Sequence, residues 1–166
     1  MQASCSQCAF RSDRPFCAMS PDATRSFDEI KEQSVLGKGT LLFSEGRPSR
    51  GVYMLCDGRA KLSICSDSGK RLMLRVAGPG EVLGMGACLS GEAYELSAEL
   101  LDAAQVVFIK RKDLLRFLRD NPTICMEVVR HLSDDLHGAY ERVRSIGLNR
   151  ARRVRAQRSR SMASAS

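Results

Sequence analysis

Residues 52–65, "VYMLCDGRAKLSIC", decide the fold class of this chain. Two short apolar runs flank the dipeptide Asp57-Gly58, which is a strong signal for a tight hairpin turn. The second run alternates between apolar and polar residues, so that Leu62 and Ile64 lie on one face of a strand. The stretch therefore predicts two neighbouring antiparallel strands joined by a short turn.

The same pattern continues on both sides of this stretch, from Ser34 to Arg111. Further strand-like runs, separated by short turns, lie at residues 40–43, 71–77, 94–101 and 104–110. The Gly-rich stretch 78–91, "GPGEVLGMGACLSG", is interpreted as a loop, because glycines allow tight turns and close backbone approach. About eight short strands without intervening helices indicate an antiparallel sandwich, roll or barrel.

Helices are predicted on both sides of the strand-rich region. Ser20 followed by Pro21 is typical of a helix N-terminus, so we expect a short helix that ends near Gln33. After the strands, residues 112–121 predict a short amphipathic helix, because their apolar residues recur at helical spacing.

A long helix is predicted over residues 122–148. Apolar residues recur along it at alternating spacings of four and three, which is the a/d pattern of a coiled coil. This stripe consists of Cys125, Val129, Leu132, Leu136, Ala139, Val143 and Ile146. We expect it to pair with the same helix of a second copy, giving a homodimer. The alternative is that the stripe packs on the sheet of its own chain.

The net charge of +7 is concentrated near the C-terminus. Residues 149–160 contain six arginines and no acidic residue, whereas the rest of the chain is nearly neutral. Residues 149–166 offer too few apolar side chains to build a core, so we expect them to be disordered. The alternative is that their arginines attach weakly to nucleic acid, without sequence preference.

The order of these elements resembles that of the sensory domain of the Crp/Fnr family of bacterial transcription regulators. The resemblance is carried by "GKGTLLFSEG" (37–46), "VYMLCDGRAKLS" (52–63), "SGKRLMLRVAGPGEVLG" (68–84) and "DNPTICMEVVRHLSDDL" (120–136). It runs from about Phe27 to Leu148. It implies a mainly β fold with helices, in which an eight-stranded antiparallel β-roll of the cyclic-nucleotide-binding type precedes a long dimerisation helix.

The resemblance also implies how the chain is organised. We expect a Cys-containing segment at 1–19, a sensory β-roll at 20–121, the dimerisation helix at 122–148 and an Arg-rich tail at 149–166. Such a protein senses a ligand or a redox change and regulates transcription without being an enzyme. A winged helix-turn-helix would follow the long helix in this family. None is recognisable here, so we interpret the chain as a regulator shortened before its DNA-binding domain.

In the cyclic-nucleotide-binding members, the Gly-rich loop is a phosphate cassette. A glycine is followed by a glutamate that holds the ribose, and an arginine some ten residues later neutralises the phosphate. Gly84 matches the glycine, but Met85 stands at the glutamate position, and the arginine position falls at Glu95 or Leu96. Since residues 82–107 contain no Lys or Arg, we do not expect cyclic AMP to bind in the usual way.

The cassette positions remain the candidate ligand-binding residues. They are Gly84, Met85, Gly86, Ala87, Leu96 and Ser97. We expect them to form either a retained corner of the fold or the lining of a pocket for an uncharged small-molecule effector.

Three cysteines near the N-terminus are candidate metal ligands. Cys5, Cys8 and Cys17 follow the spacing C-x2-C-x8-C, and clustered thiolates bind iron–sulfur clusters or zinc. Fnr-like members carry a similar group with one more cysteine in the roll, where this chain has Val107. A fourth ligand would have to come from Cys56, Cys65 or Cys88. A thiol redox switch and the absence of any site are the alternatives.

Two classes of protein are not expected. No apolar run approaches the roughly 20 residues of a membrane span, and the N-terminus has no apolar signal-peptide region, so we expect a cytoplasmic protein. The strand-rich region 34–111 contains no histidine, whereas a β-barrel metalloenzyme of the cupin type needs several. A ligand-free dimeric interaction protein remains as a further alternative.

Overall fold

A computed structural model describes Cys5 and residues 17–163 of the chain, with the backbone alone over residues 148–163. Four helices are present in this part of the chain: α1 (Pro21–Ile30), α2 (Met85–Ser90), α3 (Arg111–Asp120) and α4 (Pro122–Ala163). The strands are β1 (Lys31–Leu36), β2 (Leu41–Phe43), β3 (Gly51–Leu55), β4 (Ala60–Cys65), β5 (Arg71–Ala77), β6 (Val82–Leu83), β7 (Ser97–Leu100) and β8 (Ala104–Lys110).

The eight strands form two antiparallel sheets of four strands each. The first sheet has the order β1-β8-β3-β6 and the second has the order β2-β7-β4-β5. Every pairing between these strands is antiparallel. The predicted fold class, a mainly β, eight-stranded antiparallel roll with flanking helices, is therefore confirmed.

The predicted hairpin at Asp57-Gly58 is wrong. The two strands that it joins lie in different sheets, since β3 pairs with β6 and β8 while β4 pairs with β5 and β7. The corner packs instead against the start of β8, where the Asp57 carboxylate accepts a hydrogen bond from the main-chain N–H of Gln105. Gly58 has φ +72°, and a Cβ there would lie 2.6 Å from the Cβ of Ala104. The turn signal therefore marks a crossover between sheets.

The first helix ends three residues earlier than predicted. The main-chain N–H of Lys31 caps α1 through the carbonyl of Phe27, and the chain then enters β1. Residues 31–33 pair with β8, where Gln33 lies opposite Val107. Pairing along a long partner strand therefore overrides the local helical preference of this segment.

Two apolar cores lie on opposite faces of the first sheet. The roll core lies between the two sheets and includes Phe43, Leu55, Leu62, Leu83, Leu100 and Val106. On the other face, α1, α3 and the start of α4 cover Val52, Met54 and Ile109, and the rings of Phe27 and Phe117 meet edge to face at 5.7 Å. The alternation of β3 between the two cores follows from the two-residue period of a strand.

The chain divides into two compact units, one that reaches Glu127 and a second from Val128 onward. Helix α4 begins at Pro122 as predicted but continues to Ala163, so the predicted end at Leu148 and the predicted disorder of residues 149–163 are wrong. The reason is helix propensity: this segment is rich in Arg and Ala, which favour helix, and contains no Pro or Gly. Within the described residues, none of the helices has the length and hydropathy of a membrane span.

Candidate functional site

The Gly-rich segment begins with a turn that is fixed by its own acidic residue. Glu81 accepts a hydrogen bond of 2.7 Å from the main-chain N–H of Gly78 and pairs with the guanidinium of Arg75. The turn is tied to β3 by main-chain bonds, in which Gly80 donates to Leu55 and Leu55 donates to Glu81. The carboxylate of Glu81 is therefore engaged in the fold.

Gly84 is required both by its backbone conformation and by its surroundings. It has φ +80°, and an added Cβ would lie 2.8 Å from the ring of Tyr94. A residue with a side chain would be strained here and would also displace the ring. Gly84 is followed by α2, so this part of the segment, interpreted as a loop, is a six-residue helix.

Arg111 closes the other end of α2. Its Nε donates a hydrogen bond of 2.7 Å to the main-chain carbonyl of Cys88, and its guanidinium lies beside Gly91. A cation is favourable at the C-terminus of a helix, where carbonyl groups lack partners. Sequence reasoning missed Arg111 because it lies in the first turn of α3, outside the 82–107 window, with no local signal linking it to the cassette.

The structure places most of the predicted cassette residues in the fold's packing. Met85 is 3% exposed and contributes to the apolar core beneath α1 and α3, while Ala87 is buried in the roll core. Leu96 packs against the same roll core. The hydroxyl of Ser97 is buried and accepts a hydrogen bond of 3.0 Å from the main-chain N–H of Glu45. These four side chains thus have structural roles.

An aromatic cluster, which the sequence analysis did not identify, fills the roll beside the cassette. The rings of Phe43 and Tyr94 stack with centroids 4.2 Å apart, and Tyr53 lies 5.8 Å from Phe43 and 4.8 Å from Phe108. Burial raises the pKa of the Tyr53 hydroxyl. The space between Gly84 and the roll interior is therefore occupied by side chains of the chain itself.

The charge at the cassette is opposite to the one that a phosphate would require. Oε1 of Glu95 lies 3.2 Å from the point that a Cβ on Gly86 would occupy. Glu95 is one of the two residues at the predicted arginine position. Coulomb repulsion between this carboxylate and a phosphate is unfavourable. Residues 82–107 contain no Lys or Arg, and the guanidinium of Arg111 is hydrogen-bonded to the Cys88 carbonyl at the other end of α2.

The described part of the N-terminal cysteine group contacts a buried lysine. Nζ of Lys31, whose side chain is 2% exposed, donates to Sγ of Cys5 at 3.3 Å and pairs with Asp28 at 2.7 Å. Burial raises the pKa of the Cys5 thiol although Lys31 acts to lower it. An ammonium group in contact with the thiol opposes the binding of a metal cation there.

The metal-site prediction is only partly covered by the structure, because Cys8 lies outside the described residues. Among those that are described, no three or more His, Cys, Asp or Glu side chains come together as metal ligands. Cys17 and Cys56 are partly buried, and Cys65 is exposed at the end of β4. Cys88 is fully buried, and burial raises its pKa to about 11, so it is a neutral thiol at physiological pH.

The predicted dimer stripe is uncovered along the second unit of the chain. Val129 and Leu136 are each 51% exposed, and Val143 and Ile146 are more exposed still. Leu132 and Ala139 are half-buried. Tyr140, which follows the stripe residue Ala139, adds a further exposed ring. Exposed apolar side chains in a continuous stripe are typical of an interaction surface.

A protein-family model matches this chain. The model of the cyclic nucleotide-binding domain matches residues 33–121. These residues cover the strands from Gln33 in β1 through β8, together with α2 and α3.

Several curated relatives are regulators by name. The anaerobic regulatory protein of Bacillus subtilis is 25% identical over 132 residues, which cover 79% of this chain and 56% of the relative. The transcriptional activator protein anr of Pseudomonas aeruginosa is 27% identical over 139 residues, covering 81% of this chain and 55% of the relative. The chain thus spans a little over half the length of these relatives.

Solved structures share the fold. The catabolite activator protein of Thermus thermophilus aligns with a TM-score of 0.71 and 20% identity, over 80% of this chain and 62% of that protein. The sensor domain of the transcriptional regulator DNR from Pseudomonas aeruginosa aligns with a TM-score of 0.65 and 22% identity, over 80% of this chain and 89% of that domain.

Proposed function

We propose a function from one premise: the chain belongs to the cyclic nucleotide-binding domain family. It acts as a sensory, dimer-forming module of a Crp/Fnr-type transcription regulator, and it is not an enzyme. The names of the curated relatives support the regulatory class. The signal enters through the roll and leaves through α4. The effector would shift the equilibrium between two states that differ in how α4 pairs with a second copy.

The effector in this proposal is a small molecule without a phosphate group. The observation that carries this point is the carboxylate of Glu95 beside Gly86, at the place where the resemblance implies a positive charge. Cyclic AMP and cyclic GMP are therefore not the effectors.

A thermal titration tests this proposal directly. A ligand present at about 100 times its dissociation constant stabilises the folded state by about 2.7 kcal/mol, which shifts the melting temperature of a domain this size by several degrees. We expect 1 mM cyclic AMP or cyclic GMP to shift the melting temperature of the chain by less than about 1 °C. A saturable rise that 5′-AMP does not reproduce would refute the proposed effector class.

The second candidate function is a metal or redox sensor built on Cys5, Cys8 and Cys17. The spacing of these cysteines favours it, while the contact between Cys5 and Lys31 argues against a cation at Cys5. Anaerobic purification followed by an absorption spectrum and metal analysis decides between them. We would accept this metal or redox sensor if the protein contained metal in stoichiometric amount and a variant with all three cysteines changed to serine lost it. The signal would then come from the cysteines and not from an effector in the roll.

A further inference from the structure

The last part of α4 is a strongly basic helix. The helix continues to Ala163, and after Glu141 it contains no acidic residue and no lysine. Eight arginines fall in this part: Arg142, Arg144, Arg150, Arg152, Arg153, Arg155, Arg158 and Arg160. A run of arginines that looked like an unstructured tail in the sequence therefore has a regular geometry.

The helical period distributes these arginines around the whole helix axis. At about 3.6 residues per turn, Arg142, Arg153 and Arg160 share one side of the helix. A second group occupies the opposite side: Arg144, Arg155 and Arg158. Arg150 and Arg152 fall on the two flanks between them. Positive charge is thus placed on every side of α4.

This distribution does not suit a membrane surface. A helix that lies in the membrane interface needs a continuous apolar face opposite its basic face. Between residues 149 and 163 the only large apolar residues are Val154 and Met162, and two residues eight positions apart do not make a continuous apolar face. No apolar face can therefore be built there.

The distribution does suit the major groove of duplex DNA. An α-helix with its side chains is about 10–12 Å across, and the major groove of B-form DNA is about 12 Å wide with phosphates along both walls. A helix in that groove meets negative charge on two opposite sides. Arginine is also suited to the role, because its guanidinium binds phosphate oxygens in a bidentate manner. A-form RNA has a major groove too narrow and deep for such a helix.

We propose that residues 150–160 of α4, which follow the paired stripe, bind duplex DNA through its phosphate backbone, as a helix in the major groove and without sequence preference. This activity goes beyond the proposed sensory function, since it needs neither an effector nor the cassette. In a dimer, two such helices would act together and raise the affinity.

The first test measures binding of the full chain to a fluorescein-labelled 24-base-pair DNA duplex by fluorescence anisotropy. If about four phosphates are contacted, the affinity should fall by about 10²-fold between 50 and 200 mM KCl. A duplex of shuffled sequence should bind equally well. Absence of binding at 50 mM KCl, or binding that does not depend on salt, would overturn the proposal.

Variants separate the contribution of the arginine charges to DNA binding from that of the helical backbone. Changing the six arginines of residues 149–160 to glutamine keeps helix propensity, so binding should weaken at least about tenfold while circular dichroism stays unchanged. The matched change of the same six to lysine keeps the charge and should retain most of the binding. Ala156→Pro keeps every arginine but breaks the helix, and it should also weaken binding; unchanged affinity would overturn binding as a helix.

Two competitors test the choice of partner. Vesicles of phosphatidylcholine and phosphatidylserine at 4:1, and an RNA duplex of the same sequence, should each compete poorly with the labelled DNA. Equal competition by the RNA duplex would overturn the major-groove assignment. Tighter binding to the vesicles would overturn the assignment to nucleic acid.

Discussion

The hydroxyl of Tyr94 donates a hydrogen bond of 2.8 Å to the main-chain carbonyl of Gly51, in a fully buried position. This bond ties the segment after α2 to the start of β3. It also holds the Tyr94 ring against the Gly84 backbone, where no side chain could fit. The Gly-rich segment is thus locked onto the aromatic cluster of the roll, which explains how it can keep the shape of a cassette without binding a phosphate.

Tyr94→Phe should lower the free energy of unfolding by about 1 kcal/mol, because it removes this buried bond while keeping the ring. Urea unfolding followed by circular dichroism measures it, which suits a chain without tryptophan. Thr40→Val is the matched control, since the Thr40 hydroxyl makes a similar 2.7 Å bond to the carbonyl of Gly37 at an exposed site. In Thr40→Val, water can bind the exposed carbonyl of Gly37 in place of the hydroxyl, so the free energy of unfolding should fall by no more than about 0.5 kcal/mol. Equal losses in both variants would contradict the account.

Gly84→Ala should be more damaging than Gly69→Ala. Both glycines have a left-handed backbone, with φ +80° and +76°, but a Cβ at Gly69 meets no atom within 4 Å. The backbone strain alone should cost about 1 kcal/mol at Gly69. The contact with the Tyr94 ring should add about 1–3 kcal/mol at Gly84. If the two variants unfold at the same urea concentration, the Tyr94 contact has no energetic role.

Stability should fall at alkaline pH because of Cys88. Burial raises the pKa of its thiol from the ordinary 9.0 to about 11, so the folded state keeps a proton that the unfolded state releases. The stabilising effect of the neutral thiol is fully present below pH 9 and is lost as the pH rises through 11. The stability difference between the wild type and Cys88→Ala should therefore shift in favour of the variant between pH 9 and 11. A difference that stays constant over this range would show that Cys88 is not desolvated.

The sequence predicted the strands because their signals are local. The strand-like run of β4 and the proline at 122 that begins α4 depend only on neighbouring residues, although a bulge after Leu62 breaks the predicted alternation and leaves Ser63 buried and Ile64 half-buried. The partners of a turn depend on the whole topology, so Asp57-Gly58 signalled a turn correctly but not the crossover between two sheets. Residues 31–33 became a strand for the same reason, since β8, more than 70 positions later, supplies the pairing.

The candidate site was harder to predict than the fold. The match of Gly84 to the cassette glycine pointed to a residue that only glycine can occupy, and the acidic character of the segment was visible in Glu95. The contacts that give the segment its present role come from far along the chain. Arg111 reaches back to Cys88, and the stacked pair of Phe43 and Tyr94 joins positions about 50 residues apart, so neither has a local signature.

Pairing along α4 is the claim on which the proposed signal transmission depends. Leu136 lies at the middle of the stripe and is 51% exposed in the single chain. Leu136→Glu should place a carboxylate in the paired stripe and separate the copies, since burying an unpaired charge there is unfavourable. Ser145→Glu introduces the same carboxylate on the face of α4 opposite the stripe, so it should leave the dimer intact.

Sedimentation velocity at micromolar concentration distinguishes paired from single chains. We expect a species of twice the chain mass for the wild type and for Ser145→Glu, and a species of the single chain mass for Leu136→Glu. A wild-type chain that sediments as a single copy across that concentration range, or a Leu136→Glu variant that remains paired, would contradict pairing along α4.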